Sequence, residues 1–289
     1  MNNLLNYKLI GIGEFSHGIQ ESWIFRFNLL KYTIKNNNKK IIIFNEMDTW
    51  QAENIMNNTI WSRELKKFVK YDGIKFEEPI QNESYVGGKL WQYVNHAMES
   101  DIFIKIIKYI RRHKDRITII GVDNGKIDRD YNMYKIIMKN YKSANINFFW
   151  ASNHHVGDLL LSKDNLLYIK NKSHKWFCGH YLKNKLRDDY CIVLSQAHQG
   201  ENRFNGYCIG ENCKERSFQL KYIYRKFKYD KNEKYVKNNK KYQLLTEYNE
   251  SLINFSNSYY KGNKYGVQDY MDTTSWNYIL FWNKVCQLL

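Results

Sequence analysis

Short apolar runs alternate with amphipathic helical patterns through the first two hundred residues of the chain. After the first run, Trp23, Phe27, Leu30 and Ile34 recur at spacings of four, three and four, as apolar residues do on one face of a helix. Short continuous apolar runs are typical of buried parallel strands, and here they occupy residues 9–12, 41–44, 117–120, 146–151 and 190–195. The alternation predicts an α/β fold with a mostly parallel central sheet flanked by helices.

One domain accounts for the whole chain, residues 1–289, with its core in residues 8–200. A chain of 289 residues is long enough to bury one large core. The helices between the strands are predicted from apolar residues at helical spacing and from polar residues that suit an N-cap. They cover about residues 19–36, a stretch that begins near Asp48, a stretch capped by Asp101, and about residues 130–142 and 176–186.

Three segments depart from this alternation. Residues 61–71 are predicted to be helical, and residues 72–88 carry turn residues and the only proline, so we expect helical insertions over the carboxyl ends of the strands. Residues 211–241 are basic and poorly periodic, which indicates a surface insertion. In residues 242–289 we expect the remainder of a C-terminal helix that begins near residue 240, followed by a closing strand from about residue 276.

The chain is strongly basic, with a formal net charge of +16. Such a charge favours contact with anions, for example nucleic acid or phosphorylated ligands. Lysine and arginine are densest in residues 214–241, where they interleave with aromatic residues. Because no recognised nucleic-acid motif accompanies this run, a solvated basic face is the simpler interpretation. We expect any binding of nucleic acid to be weak and non-specific.

The cysteines and the apolar runs indicate the compartment. Five cysteines is an odd number, and they do not show the paired spacing of a zinc site, so reduced thiols are expected. The first residues lack the apolar core of a signal peptide. No run approaches the roughly 18 apolar residues of a membrane span. The sequence therefore predicts a cytoplasmic protein without membrane contact.

Titratable side chains follow the ends of four predicted strands. They are Glu14 and His17 after the first strand, Glu46 after the second, Asp123 after the third, and His154 with His155 after the fourth. Neighbouring parallel strands lie about 4.8 Å apart, and ligands of open α/β sheets bind at the carboxyl ends of the strands. We therefore expect these side chains to converge on one site.

Three kinds of site are compatible with this set of residues. In a hydrolase, His17 would deprotonate a water that Glu14 or Glu46 orients. A divalent metal ion could use the same ligands, but no HExxH or other ligand spacing occurs, so we expect no metal and no other cofactor. A structural hydrogen-bond network without catalysis is the third. A serine hydrolase is disfavoured, because Ser16 lies in EFSHG rather than in a GxSxG motif.

Five segments, in the same order, resemble motifs of the erythromycin esterase family. GEFSHGIQESWIFR resembles the family's GExxHG turn with a following glutamate and arginine, here Glu21 and Arg26. IIIFNEMD and IIGVD resemble two strands that end in an acidic residue. FFWASNHHVG resembles the W-A-H-N-x-H-V segment, with Ser152 at the place of its first histidine, and FCGHYLKNKLRDDYCIV resembles a helix that leads into a D-x-Y strand. The likeness covers most of residues 8–200.

The resemblance implies a metal-independent hydrolase in which a histidine activates water to open a macrolide lactone, an activity that confers antibiotic resistance. In that case His17 is the general base, Glu14 is its partner, and Glu46 holds the water. His155 faces the substrate as a further catalytic residue. The substrate-binding side chains implied are Arg26, which orders the site, with Glu21, Asp123, His154 and Ser152.

We therefore predict a hydrolase that cleaves a carboxylic ester of a small molecule, including a cyclic ester. Two alternatives stay open. An inactive relative that binds an anionic partner, such as nucleic acid or a phosphorylated ligand, is favoured by Ser152 and by the net charge of +16. A metal-dependent hydrolase would use the same clustered side chains.

Overall fold

The computed structural model of the chain describes residues 2–14, 19–57, 59–62, 67–70, 100–124, 128–158, 176–206, 221–228, 243–245 and 277–285. In these residues a mostly parallel sheet is flanked by helices. The predicted α/β class is confirmed. The boundaries of the single predicted domain remain a prediction.

The central sheet is built around six parallel strands. In chain order the described strands are β1 (Leu9–Glu14), β2 (Ile41–Asn45), β3 (Thr59–Ser62), β4 (Lys67–Lys70), β5 (Ile117–Gly121), β6 (Ile146–Ser152), β7 (Tyr190–Gly206), β8 (Lys221–Lys228), β9 (Gln243–Leu245) and β10 (Tyr278–Val285). Strands β5, β2, β6, β1, β7 and β10 lie side by side in that order and run parallel. Strand β9 pairs antiparallel with β10, and β8 pairs antiparallel with the later part of β7.

Helices connect the parallel strands, as the sequence predicts. The α-helices of the described residues are α1 (Gln20–Asn36), α2 (Thr49–Met56), α3 (Asp101–Arg112), α4 (Arg129–Asn140), the single turn α5 (Asn153–Val156) and α6 (Cys178–Leu186). The cap of α3 is Ser100 rather than the predicted Asp101, because the Ser100 hydroxyl accepts a hydrogen bond from the Phe103 N–H at 3.3 Å. None of the helices in the described ranges is both long and apolar enough to cross a membrane.

Apolar side chains cover both faces of the parallel sheet. Along β1, Ile10 packs in one core cluster with Leu30 of α1, whereas Leu9 packs in a second cluster with Ile137 of α4 and Leu182 of α6. Successive side chains of a strand point to opposite faces, so a strand between two helical layers has to be apolar at every position. This requirement explains why the central strands are readable as continuous apolar runs.

Two predictions made from periodicity are wrong. Within the stretch 61–71, which was predicted to be helical, the described residues 61–62 and 67–70 belong to the antiparallel pair β3 and β4. Strand β9 lies within the predicted helix that begins near residue 240, and strand β8 lies within the stretch 211–241 that was predicted to be a surface insertion. Edge strands tolerate charged and polar residues, so they lack the apolar run that identifies a central strand. The predicted insertion at 72–88 lies outside the described residues.

The order of the strands determines where the site lies. Strand β6 is inserted between β1 and β2, so the carboxyl ends of these three strands are neighbours. Glu14 at the end of β1 is in register with Ser152 at the end of β6. Glu46 follows β2 directly, and its N–H donates to the carbonyl oxygen of Trp150 in β6 at 2.9 Å. The acidic residues of two separate strands therefore flank the end of a third.

Candidate active site

A buried ion pair joins the end of β1 to helix α1. Arg26 Nη1 donates to Glu14 Oε2 at 3.1 Å, and Nη2 donates to the carbonyl oxygens of Ile12 and Ala151 at 2.8 and 2.9 Å. The side chains of Arg26 and Glu14 are only 1% and 4% exposed, and the guanidinium carbon lies 4.7 Å from the centre of the Trp23 ring. Arg26 thus places a cation beside Glu14 and holds the ends of β1 and β6 together.

Glu46 is held by donors from three directions. Its Oε2 accepts a hydrogen bond from the Ser152 N–H at 2.7 Å, while its Oε1 accepts from Arg129 Nη2 at 2.7 Å and lies 3.3 Å from His155 Nε2. Arg129 also donates from Nε and Nη2 to the two oxygens of Asp123 at 2.9 and 2.5 Å. One guanidinium therefore links the carboxylates that follow β2 and β5, with the bidentate geometry that suits arginine.

His155 lies between two carboxylates. Its Nδ1 is 2.6 Å from Asp130 Oδ1, and its Nε2 faces Glu46. Burial by itself lowers the pKa of His155, but the carboxylates of Asp130 and Glu46 outweigh burial and raise this pKa to about 9. His155 is therefore an imidazolium at neutral pH. We refer to Asp123, Arg129, Glu46, His155 and Asp130 as the Glu46–His155 cluster.

A second link ties the end of β6 to β7. Asn153 Nδ2 donates to the Ser195 carbonyl oxygen at 2.9 Å, and its Oδ1 accepts from the Ser195 N–H at 3.0 Å. Asn153 also lies so close to Gly13 that a Cβ at residue 13 would clash with its side-chain oxygen. Glycine at this position of β1 allows the turn after β6 to approach the sheet. The strand ends around the site are therefore rigidly connected.

The chain shares its fold with an erythromycin esterase. That structure, a histidine-to-asparagine mutant of EreC in its open conformation, aligns with a TM-score of 0.57 and 10% identity over 99% of this chain and 93% of that chain. A succinoglycan biosynthesis protein aligns with a TM-score of 0.61 and 14% identity over 99% and 90% of the two chains. A Bacillus cereus protein aligns with a TM-score of 0.55 and 10% identity over 97% and 89%. No protein-family model and no curated protein matches by sequence.

The structure joins four of the predicted residues in two direct contacts. Glu14 pairs with Arg26, and Glu46 lies against His155. Asp123 belongs to the same cluster through Arg129. At this identity the similarity to EreC shows the fold alone. A catalytic assignment therefore depends on these contacts.

The remaining predicted residues differ in where they lie. Ser152 contacts Glu46 through its backbone N–H rather than its hydroxyl. Glu21 is buried in the first turn of α1, and the ring centre of His154 lies 5.8 Å from that of Phe177. His17 lies outside the described residues. Roles for these four residues in catalysis or substrate binding stay predictions.

Sequence reasoning missed Arg129, Asp130 and Asn153. The first two begin helix α4, and a charged pair in the first turn of a helix is commonly explained by the helix terminus alone. Asn153 coincides with the asparagine of the W-A-H-N-x-H segment, so the resemblance contained a signal for it. No local pattern indicates that Arg129 binds Glu46, because the two residues are 83 positions apart.

The ionisable groups of this site bind each other. Within the described ranges, no group of three or more His, Cys, Asp or Glu side chains is arranged to hold a metal ion. Asp130 and Glu46 direct oxygens at His155, while Arg129 lies between Glu46 and Asp123. The arrangement is that of alternating charges that orient one another.

We expect the stability of the protein to fall as pH rises through about 9, because the folded state then loses the proton on His155. The pKa of this residue is raised from 6.5 to about 9, so its contribution is fully present below pH 6.5 and is lost as pH rises through the folded value. The linked free energy is on the order of 3 kcal/mol. Urea unfolding of the wild type and His155→Gln should be compared between pH 6 and 10. A stability difference that stays constant over this range would contradict the prediction.

Proposed function

We propose that the chain is a hydrolase that uses an activated water, without a metal or another cofactor, to cleave a carboxylic ester of a small molecule. The observation that carries this proposal is the pair of buried carboxylates, Glu14 and Glu46, on either side of the end of β6, each beside a cation. The fold shared with an erythromycin esterase supports the reaction class. A cyclic ester such as a macrolide lactone is the first substrate to test.

The two carboxylates belong to one electrostatic site. Glu14 is in register with Ser152, and the N–H of Ser152 binds Glu46. Burial lowers the pKa of the Arg26 guanidinium, and the carboxylates of Glu14 and then Glu46 act in the opposite direction. One buried cation therefore interacts with both acidic residues. This arrangement supports a site in which both carboxylates can orient a polar reactant.

In this proposal His17 is the general base. An imidazole with an unperturbed pKa near ~6.5 is suited to take a proton from water at neutral pH, whereas an ordinary carboxylate with a pKa of about 4 is a weak base. His155 already carries its second proton between Asp130 and Glu46, so it does not compete for this role. Glu14, three residues before His17 in the sequence, would orient the base, and Glu46 would hold the water.

Ser152 favours a substrate different from that of the resembled family. It replaces an imidazole of the W-A-H-N-x-H segment, and a hydroxyl is smaller and carries no charge at neutral pH. The missing imidazole removes a potential contact to substrate. We therefore propose acyclic esters beside macrolide lactones as candidate substrates.

Hydrolysis assays with the purified full-length chain test this proposal. We expect release of nitrophenol from short-chain nitrophenyl esters, or addition of one water to erythromycin seen by mass spectrometry, and we expect the rate to be unchanged by EDTA. Loss of the rate with EDTA and its recovery with zinc or manganese would instead favour a metal-dependent hydrolase. Failure to hydrolyse any ester of the panel would contradict the proposal and favour an inactive relative.

A further inference from the structure

We propose that Asp130 is a positioning residue that acts through His155 to fix the carboxylate of Glu46 at the end of β2. The catalytic consequence rests on the proposed hydrolase function, in which Glu46 holds the water. The structural consequence, a His155 that is charged at neutral pH between two carboxylates, does not depend on any reaction. The two consequences are therefore separable by experiment.

The geometry around the imidazole indicates its protonation. A neutral imidazole has one donor nitrogen and one acceptor nitrogen, whereas an ionised carboxylate only accepts hydrogen bonds. Here Nδ1 lies 2.6 Å from Asp130 Oδ1 and Nε2 lies 3.3 Å from Glu46 Oε1. Both contacts are favourable together when both nitrogens carry a proton. The charged imidazole then faces Glu46 with Nε2 because Asp130 holds its other side.

Asp130 is itself anchored by two helices. It lies in the first turn of α4, and its Oδ1 also accepts a hydrogen bond from the Cys178 N–H, at the beginning of α6, at 3.0 Å. Its side chain is 14% exposed. A carboxylate held by the backbone of one helix and carried on another has little freedom to move. Asp130 can therefore set the orientation of His155 and, through it, of Glu46.

The charges that face His155 come from several elements of the fold. Burial lowers the pKa of His155; Asp130 raises it, Arg129 lowers it, and Glu46 raises it. Burial, together with the carboxylates of Asp130 and Glu46, also raises the pKa of the nearby Cys178 thiol, so this thiol does not add a negative charge at neutral pH. The titratable and charged groups packed here, among the residues that the structure describes, are Asp130 and Arg129 of α4, Glu46 after β2, Asp123 after β5 and Cys178 of α6.

Nitrogen-15 NMR of the imidazoles tests this inference in the full-length chain. At pH 7 we expect both nitrogens of His155 to be protonated in the wild type. In Asp130→Asn we expect the midpoint of the His155 titration to fall by at least about one pH unit. With an ester substrate we expect kcat to fall about tenfold while KM changes less than about twofold. Asp130→Glu, which restores the charge, should recover part of both effects.

A matched control is available beside α6, where Asp158 contacts His180 of this helix. Asp158 Oδ1 lies 2.6 Å from His180 Nδ1, the same distance as in the Asp130–His155 contact, and the part-buried His180 also bonds Asn184. Asp158→Asn removes this carboxylate and should leave the titration of His155 and the kcat unchanged.

Each result decides a different part of the inference. A neutral His155 in the wild type at pH 7 overturns it without need of any variant, and so does an unchanged His155 midpoint in a folded Asp130→Asn protein. Equal kcat values for Asp130→Asn and Asp158→Asn overturn the positioning role. If the wild type hydrolyses no ester, the proposed function fails, and the NMR result alone decides whether Asp130 fixes the charge of His155.

Discussion

Replacing His17 by asparagine is expected to reduce ester hydrolysis by about 10²- to 10⁴-fold, the usual cost of removing a general base. Asparagine keeps a polar side chain but does not accept a proton at neutral pH. Glu14→Gln should cost less, because it changes how the base is oriented and leaves the base itself in place. The measurement is kcat/KM for the best ester substrate at pH 7, with thermal melting of each variant to show that it is folded.

His113→Asn is the matched control for this prediction. His113 ends helix α3, and its carbonyl oxygen accepts from the Ile117 N–H at 2.8 Å, where β5 begins. It therefore lies at the amino ends of the parallel strands, whereas Glu14 and Glu46 lie at the carboxyl ends. The control should keep wild-type turnover. If His17→Asn also keeps it, another residue is the base, and His154 is the next candidate because His155 is already protonated.

Arg26→Met is expected to destabilise the fold by about 3–5 kcal/mol, the range found when one member of a buried ion pair is removed. Glu14, which is 4% exposed, would lose its arginine partner, and the carbonyl groups of Ile12 and Ala151 would lose the donor that joins β1 to β6. Methionine is unbranched and apolar and replaces the aliphatic stem of the arginine, so the change removes the charge and the hydrogen bonds more than the packing of the stem. Urea denaturation monitored by circular dichroism measures the loss.

Two further variants separate the charge from the rest of this effect. Lys8→Met removes an ion pair with Asp189 at 2.8 Å whose members are 48% and 45% exposed, so its cost should be far smaller than that of Arg26→Met. The double variant Glu14→Gln with Arg26→Met should be more stable than Arg26→Met alone, because it no longer buries a carboxylate without its arginine. Equal losses of unfolding free energy for Arg26→Met and Lys8→Met would show that the buried Glu14–Arg26 ion pair stabilises the fold no more than the exposed Lys8–Asp189 ion pair does.

The described secondary structure was predictable where a strand is a continuous apolar run and was not predictable where a strand carries charged and polar residues. The interior strands β1, β2 and β6 are apolar at nearly every position, because helices cover both faces of the sheet. Strand β8, KYIYRKFK, contains four basic residues among its eight, so it does not form a continuous apolar run. Its pairing with β7 provides the hydrogen bonds that make it a strand, and that pairing is not visible in a local window of sequence.

The sequence by itself determines the order of the elements and the local periodicity of apolar residues. These two features identified Glu14, Glu46, Asp123 and His155 as residues near strand ends. A strand end is a local property, since it is marked by the change from an apolar run to polar and turn residues. The resemblance to the erythromycin esterase family then predicted that Arg26 orders the site, a role that stays a prediction, and the structure shows Arg26 buried against Glu14.

Only the tertiary structure decided which of these groups bind each other. Insertion of β6 between β1 and β2 brings Glu14 and Glu46 to either side of Ser152, and packing of α4 brings Arg129 and Asp130 to Glu46 and His155. These contacts join residues that are far apart in the chain, and Coulomb interactions depend on distance in space and on burial rather than on separation in sequence. For that reason the charge of His155 was not predictable from the sequence, whereas the fold places both of its nitrogens against carboxylates and makes it a cation at neutral pH.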